Sequence, residues 1–246
     1  MNTSIASTPK TGTPLPVIEG TNQHRSGALQ KVLLACGILS SIWYVVLNIV
    51  VPMQYPGYSV AAQTVSELSA IDAPTRALWV WLCIPYSLLV TAFGWGVWRA
   101  AGASRPLRLA GAFMILYGVS GFLWPPMHQR EVLAAGGGTL TDTLHIVFSI
   151  ATVLVMMIMM GFGAAALGKR FRLFTLTCLV LFLWFGTLTG LDGPRISEDL
   201  TTPLIGIWER INIGIYMIWV IVFAVLLLRR ENSLALTAPG VPHSNQ

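Results

Sequence analysis

Two histidines, His128 and His145, share the chain with a small set of carboxylates that could work with them: Glu67, Asp72, Asp142 and Glu209. His128, His145 and Asp142, joined by Glu67, Asp72 or Glu209, would make a mixed nitrogen and oxygen shell suited to a divalent metal such as zinc. No HExxH, HxxxH or cysteine cluster accompanies them, so folding alone would have to bring the ligands together. A second chemistry uses Ser66 or Ser149 as nucleophile, with His145 as base and Asp142 orienting it, although no G-x-S-x-G elbow is present. A third uses no covalent chemistry. Ser66, Glu67, Asp72, His128, Asp142, His145, Glu209 and Arg210 would line a polar site for a small molecule or a lipid headgroup, with Arg210 and Arg130 meeting an anionic group. Each residue also has a plain structural reading. Thr64-Val65-Ser66-Glu67 spells a capping box, Asp142 suits the first turn of a helix, His145 could make an interhelical hydrogen bond, and Glu209 and Arg210 could pair at a water boundary.

The elements that must position these groups are membrane helices. The chain has 246 residues, 54% of them hydrophobic and only 10% charged, too few polar side chains to cover a soluble domain of this length. Apolar runs long enough to span a bilayer extend over Lys31–Val51, Ala77–Trp98, Leu107–Trp124, Leu144–Leu167, Leu173–Gly190 and Trp208–Leu228. Pro52, the pair Pro125-Pro126 and Asp192-Gly193-Pro194 punctuate their ends. The expected architecture is all-α: a six-helix transmembrane domain over 30–230, between a disordered tail at 1–29 and a short tail at 231–246. The three cysteines, Cys36, Cys83 and Cys178, fall within separate spans and read as small hydrophobes. Met156–Met160 reads as packing material, and Gly186 with Gly190 as a site of close helix approach.

Basic residues set the expected orientation. Alternating spans place all but Arg76, Arg130, Arg195 and Arg210 on one side, which the positive-inside rule assigns to the cytoplasm together with both termini. The expected location is the cytoplasmic membrane. The net charge of +5 then reflects topology and attraction to anionic lipid; no basic platform with interleaved aromatics suggests nucleic acid. The acidic residues other than Glu19 and Glu231 fall on the opposite, external side. Polar residues at helical spacing descend from that side: Asp142, His145, Ser149 and Thr152; Glu209, Asn212 and Tyr216; Tyr117, Ser120 and Trp124; and, ending at that side, Ser41, Tyr44 and Asn48. Such groups avoid lipid, so an outward-open polar pocket between helices is expected. A metal-assisted hydrolase of lipid or envelope substrates and a proton-coupled transporter are the competing activities. Oligomeric state is not encoded in any pattern of the chain.

The stretch Gly57–Ser69, with its Thr64-Val65-Ser66-Glu67-Leu68-Ser69 ending and the following Asp72-Ala73-Pro74, resembles the signature loop of an uncharacterised prokaryotic membrane family, domain of unknown function 998. That family joins its first two spans by a GY-rich segment leading into an I-S-E-L-G type motif; here Val65 stands for Ile and Ser69 for Gly. The similarity extends more loosely to His145 and to Glu209-Arg210, over the six-helix body without the tails. The resemblance implies the six-span topology and a conspicuous external face, and it implies no activity.

Overall fold

The computed structural model describes residues 18–237, with side chains described over 27–233. The outermost parts of both expected tails, 1–17 and 238–246, lie outside the described residues. The described residues contain no strand. Seven α-helices run in order: α1 (Ile18–Val50), α2 (Arg76–Ala100), α3 (Arg105–Ser120), the short α4 (Arg130–Ala134), α5 (Leu140–Ala166), α6 (Lys169–Ser197) and α7 (Ile205–Thr237). All except α4 are long and apolar enough to cross a membrane, over Gly27–Gln54, Arg76–Ala100, Arg105–Leu123, Leu140–Ala166, Lys169–Ser197 and Ile205–Ser233. The chain is therefore a multi-pass membrane protein. Its helices begin and end outside the hydrophobic runs that reveal them: α1 reaches back to Ile18 and α7 on to Thr237, into the stretches read as tails.

One boundary differs for a physical reason. Asp192-Gly193-Pro194 does not end the fifth span, because Pro194 sits in the last turn of α6, where its fixed φ suits the helix and only one backbone hydrogen bond is forfeited. The chain turns after it, with the Leu200 amide donating to the Arg195 carbonyl at 2.8 Å.

The spanning helices form a closed circuit in which each packs on the next, α1 on α2, α2 on α3, α3 on α5, α5 on α6, α6 on α7, and α7 back on α1. Half of the most hydrophobic stretch of α7 is buried, against 17% for α6, so α7 is the most buried of the spanning helices and α6 the most lipid-facing. Tyr216, Trp219, Phe223 and Leu227 of α7 meet Phe93, Phe171, Phe182, Met159 and Met160, with Trp219 and Phe223 stacked at 4.9 Å. The methionine run is packing material as expected. All three cysteines are free thiols.

Since lipid tails are as apolar as Leu, helices in a bilayer gain by close contact and by internal polar bonds rather than by expelling water. Close contact occurs between α2 and α3. A Cβ on Gly111 would stand 2.6 Å from the Trp98 amide nitrogen, and one on Gly94 2.7 Å from that of Ile115. The Gly186 and Gly190 pair does not serve this purpose: Gly190 has open space beside it, and Gly186 instead makes room for the Asn212 side chain, whose amide donates to the Phe182 carbonyl. The polar stripes turn inward, away from lipid, but onto protein partners. The Tyr86 and Tyr117 hydroxyls bond at 2.8 Å, the Trp219 indole donates to Thr175 at 3.0 Å, and Ser41 donates to the Gly37 carbonyl at 3.0 Å.

Gly111→Ala is expected to lower stability by about 1–3 kcal/mol, since backbone on both sides leaves the methyl no room. Gly161→Ala on the open face of α5 should stay within about 1 kcal/mol of wild type or gain slightly. Thermal unfolding of the two variants in detergent checks the contrast.

Candidate functional site

At the end of the bundle opposite Arg99, Arg105, Lys169 and Arg229, residues 52–75 between α1 and α2 fold into a compact cap. The cap contains 3₁₀ turns at Pro52–Gln54 and Val65–Ser69. In a 3₁₀ turn residues three apart share a face. Val65 and Leu68 are buried against Leu47, Val51 and Trp79, while Ser66 and Ser69 share a half-exposed face. Gly57, at φ +81°, provides the left-handed turn that brings Tyr58 back over the cap.

Glu67 is buried at the centre of this cap and accepts five hydrogen bonds. Within the loop they come from the Thr64 amide (2.7 Å), the Thr64 hydroxyl (3.0 Å) and the Gln63 side chain (3.2 Å). The others come from Arg130 at the start of α4, through Nε at 2.7 Å and a terminal nitrogen at 3.1 Å, a bidentate ion pair. Arg130 also donates to the Ala62 carbonyl at 2.9 Å and to the Thr202 hydroxyl at 3.4 Å, and Thr202 donates to the same carbonyl at 3.1 Å. The pairing with Glu67 pushes the Arg130 guanidinium further up from its ordinary value. The capping box is real, yet it is the smaller part of what Glu67 does, and its acceptor capacity leaves none for a reacting group.

The start of α7 forms a second lock on the same cap. Glu209 accepts from the Val65 amide at 2.5 Å. Arg210 donates to the carbonyls of Val60 (2.9 Å) and Gln63 (3.1 Å) and to the Tyr58 hydroxyl (2.8 Å). Burial pushes the Tyr58 phenol up to about 12 despite Arg210, so near neutrality its hydroxyl stays protonated and donates to the Thr64 carbonyl at 2.6 Å. Gly206 completes the lock, its amide donating to the Ala61 carbonyl at 2.9 Å where any Cβ would strike the cap's backbone. Glu209 and Arg210 do not pair with each other; each holds the loop separately.

The histidines are kept apart in function. His145, in the second turn of α5 and 6% exposed, has Nδ1 2.8 Å from the Pro125 carbonyl and Nε2 3.1 Å from the Ser66 hydroxyl. The Trp124 and imidazole rings pack T-shaped, with centroids 5.6 Å apart. His128 instead binds Asp142, through its amide at 2.6 Å and Nδ1 at 2.8 Å, while Asp142 also caps α5 by accepting from the Thr139 amide at 2.8 Å. Asp142 thus orients His128 and not His145. Ser149 is directed elsewhere, donating to the His145 carbonyl on its own helix at 2.8 Å. Asp72 joins none of these clusters; it is exposed and sits at φ +64°, a left-handed position that Asp tolerates. His128, His145 and Asp142 are not gathered into one shell: Asp142 sits with His128, while His145 faces Ser66 and Pro125. Among the described residues no group of three or more His, Cys, Asp or Glu is placed to hold a metal ion.

Arg130, Tyr58, Thr202 and Gly206 matter more to this site than their sequence settings suggest. The one available signal was that Arg130 is the sole Lys or Arg between Arg108 and Lys169.

Glu67→Gln separates the two roles of Glu67. Gln serves as well as Glu in a capping box, so the cap alone would leave stability nearly unchanged. Loss of the buried pair with Arg130 is expected to cost about 3 kcal/mol, the lower end of the range for such pairs because Arg130 is a quarter exposed. The drop in thermal midpoint measures it.

No curated protein and no solved structure matches the chain. A family profile does match, described as protein of unknown function (DUF998), over residues 38–226, which takes in the cap, both histidines and the Glu209-Arg210 pair. The chain belongs to that family of membrane proteins of unknown function.

Proposed function

We propose that the protein resides in the cytoplasmic membrane with both termini in the cytoplasm, and that its capped, external end binds a small polar molecule or a lipid headgroup. Orientation rests on the concentration of Lys and Arg at the opposite end. The observation that carries the binding reading is the Ser66–His145 pair. Ser66 is partly exposed and His145 buried; the exposed apolar Leu140 and Leu144 precede His145 on α5, and the exposed Phe122 and Leu123 precede Trp124, which packs on the imidazole. Apolar side chains left exposed beside a buried histidine suit a guest that arrives through lipid. The same end also holds one buried donor, Arg210 Nε, and one buried acceptor, Asn48 Oδ1, without partners among the described residues. Leaving such groups unpaired is unfavourable. The other arginine donors are committed to the cap, so recognition here rests on hydroxyl, imidazole and amide groups more than on a free cationic clamp.

Titration of the full chain in detergent with short-chain phosphatidylglycerol, short-chain phosphatidylethanolamine and inorganic phosphate tests this reading. At a hundredfold excess over Kd, one lipid should raise stability by about 2.7 kcal/mol. Ser66→Ala and His145→Asn should lose most of that rise while remaining monodisperse. A rise that is equal for all three additives, or unchanged in both variants, would contradict it.

A further inference from the structure

We infer that Ser66 and His145 form a nucleophile and general-base dyad that transfers the acyl group of a membrane-lipid ester, an inference that rests on the headgroup-binding reading above. The Pro125 carbonyl can only accept, so the proton of the neutral imidazole lies on Nδ1, and Nε2 presents its lone pair to the Ser66 hydroxyl at 3.1 Å. That is the tautomer a general base requires. The orienting group is a backbone carbonyl, and the T-shaped packing of Trp124 on the ring restricts its rotation. Ser66 is held as firmly, since its neighbours Val65 and Glu67 are fixed by Glu209 and Arg130. Ser66 is partly exposed whereas His145 is buried, the order of access that a nucleophile and its base need.

The chemistry balances without any further reagent. Ser66 Oγ adds to the ester carbonyl carbon as its proton passes to His145 Nε2. The tetrahedral adduct collapses with cleavage of the bond to the leaving oxygen, which takes that proton and departs as an alcohol, leaving an acyl-serine. Water, deprotonated by His145 Nε2, then adds to the acyl carbon, and the proton returns to Ser66 Oγ as the carboxylic acid leaves. The exposed Leu140 and Leu144 on the helix of His145, and Leu123 beside Trp124, favour an ester borne on an acyl chain.

A fluorophosphonate probe, which reacts with activated serines, tests the dyad on the full chain in detergent. Intact mass should show one adduct per chain, and peptide mapping should place it on Ser66. Ser66→Ala should abolish labelling, and His145→Asn should slow it by about a hundredfold or more. No adduct on the wild type, an adduct on another serine, or undiminished labelling of Ser66→Ala would overturn the dyad. Release of fatty acid from phosphatidylglycerol vesicles supports the lipid ester. Turnover of water-soluble p-nitrophenyl butyrate with no release from vesicles overturns that substrate class. Lipid-dependent stabilisation measured on the same sample separates the two readings: its survival with no adduct removes the chemistry alone, and its absence removes the binding site as well.

Discussion

The Glu67 carboxylate is where the non-membrane parts of this protein converge. It closes the 3₁₀ turn that follows Thr64, and through Arg130 it holds the start of α4 and the Ala62 and Thr202 region ahead of α7. That pair ties the cap to the segment between α3 and α5 and, through Ala62 and Thr202, to the segment ahead of α7, alongside the Ile71 amide bond to the Met127 carbonyl and the contacts from Gly206, Glu209 and Arg210. A buried ion pair is weak evidence for net stability, because desolvating both charges offsets much of their attraction. Its worth here is specificity: a bidentate guanidinium fixes distance and angle as well as charge, and it fixes them for Ser66, the next residue along.

The bundle beneath makes such a cap feasible. The helices follow one another around the circuit in chain order, with α7 the most buried of them. Close contact is secured by glycine between α2 and α3 and by aromatic rings around Trp219 and Phe223. Polar groups that descend into the bundle bond to one another or to helix carbonyls, as groups removed from water must. The polar end therefore stands on a tightly packed base, and α7 reaches from that base into the cap through Gly206, Glu209 and Arg210.

Legibility in the sequence followed the range of the interactions. Hydropathy is local, so the six spans could be read directly, with errors only where Pro194 rides in a last turn and where helices run beyond their apolar stretches. The Thr64 to Glu67 capping box was legible for the same reason. The partner that defines Glu67 lies 63 residues away, and no spacing rule connects the two. Helical periodicity did select the residues that turn inward, but periodicity cannot say whether an inward polar group meets a ligand or a neighbouring carbonyl. For His145 the serine it meets was among the alternatives, whereas the carboxylate assigned to it, Asp142, is held by His128 in the segment before α4. The glycine pair at 186 and 190 has the spacing for close helix approach, yet the approach occurs where Gly94 and Gly111 face each other across α2 and α3.

The account as a whole requires that the loop between α1 and α2 be a folded cap whose central tie is the Glu67–Arg130 ion pair. Amide hydrogen exchange of the full chain, compared between wild type and Arg130→Gln, addresses this directly. The amides of Val65 to Ala70 should be protected in the wild type and exchange rapidly in the variant, with protection of the spanning helices unchanged. Rapid exchange of those amides in the wild type, or protection that survives the loss of Arg130, would contradict the account.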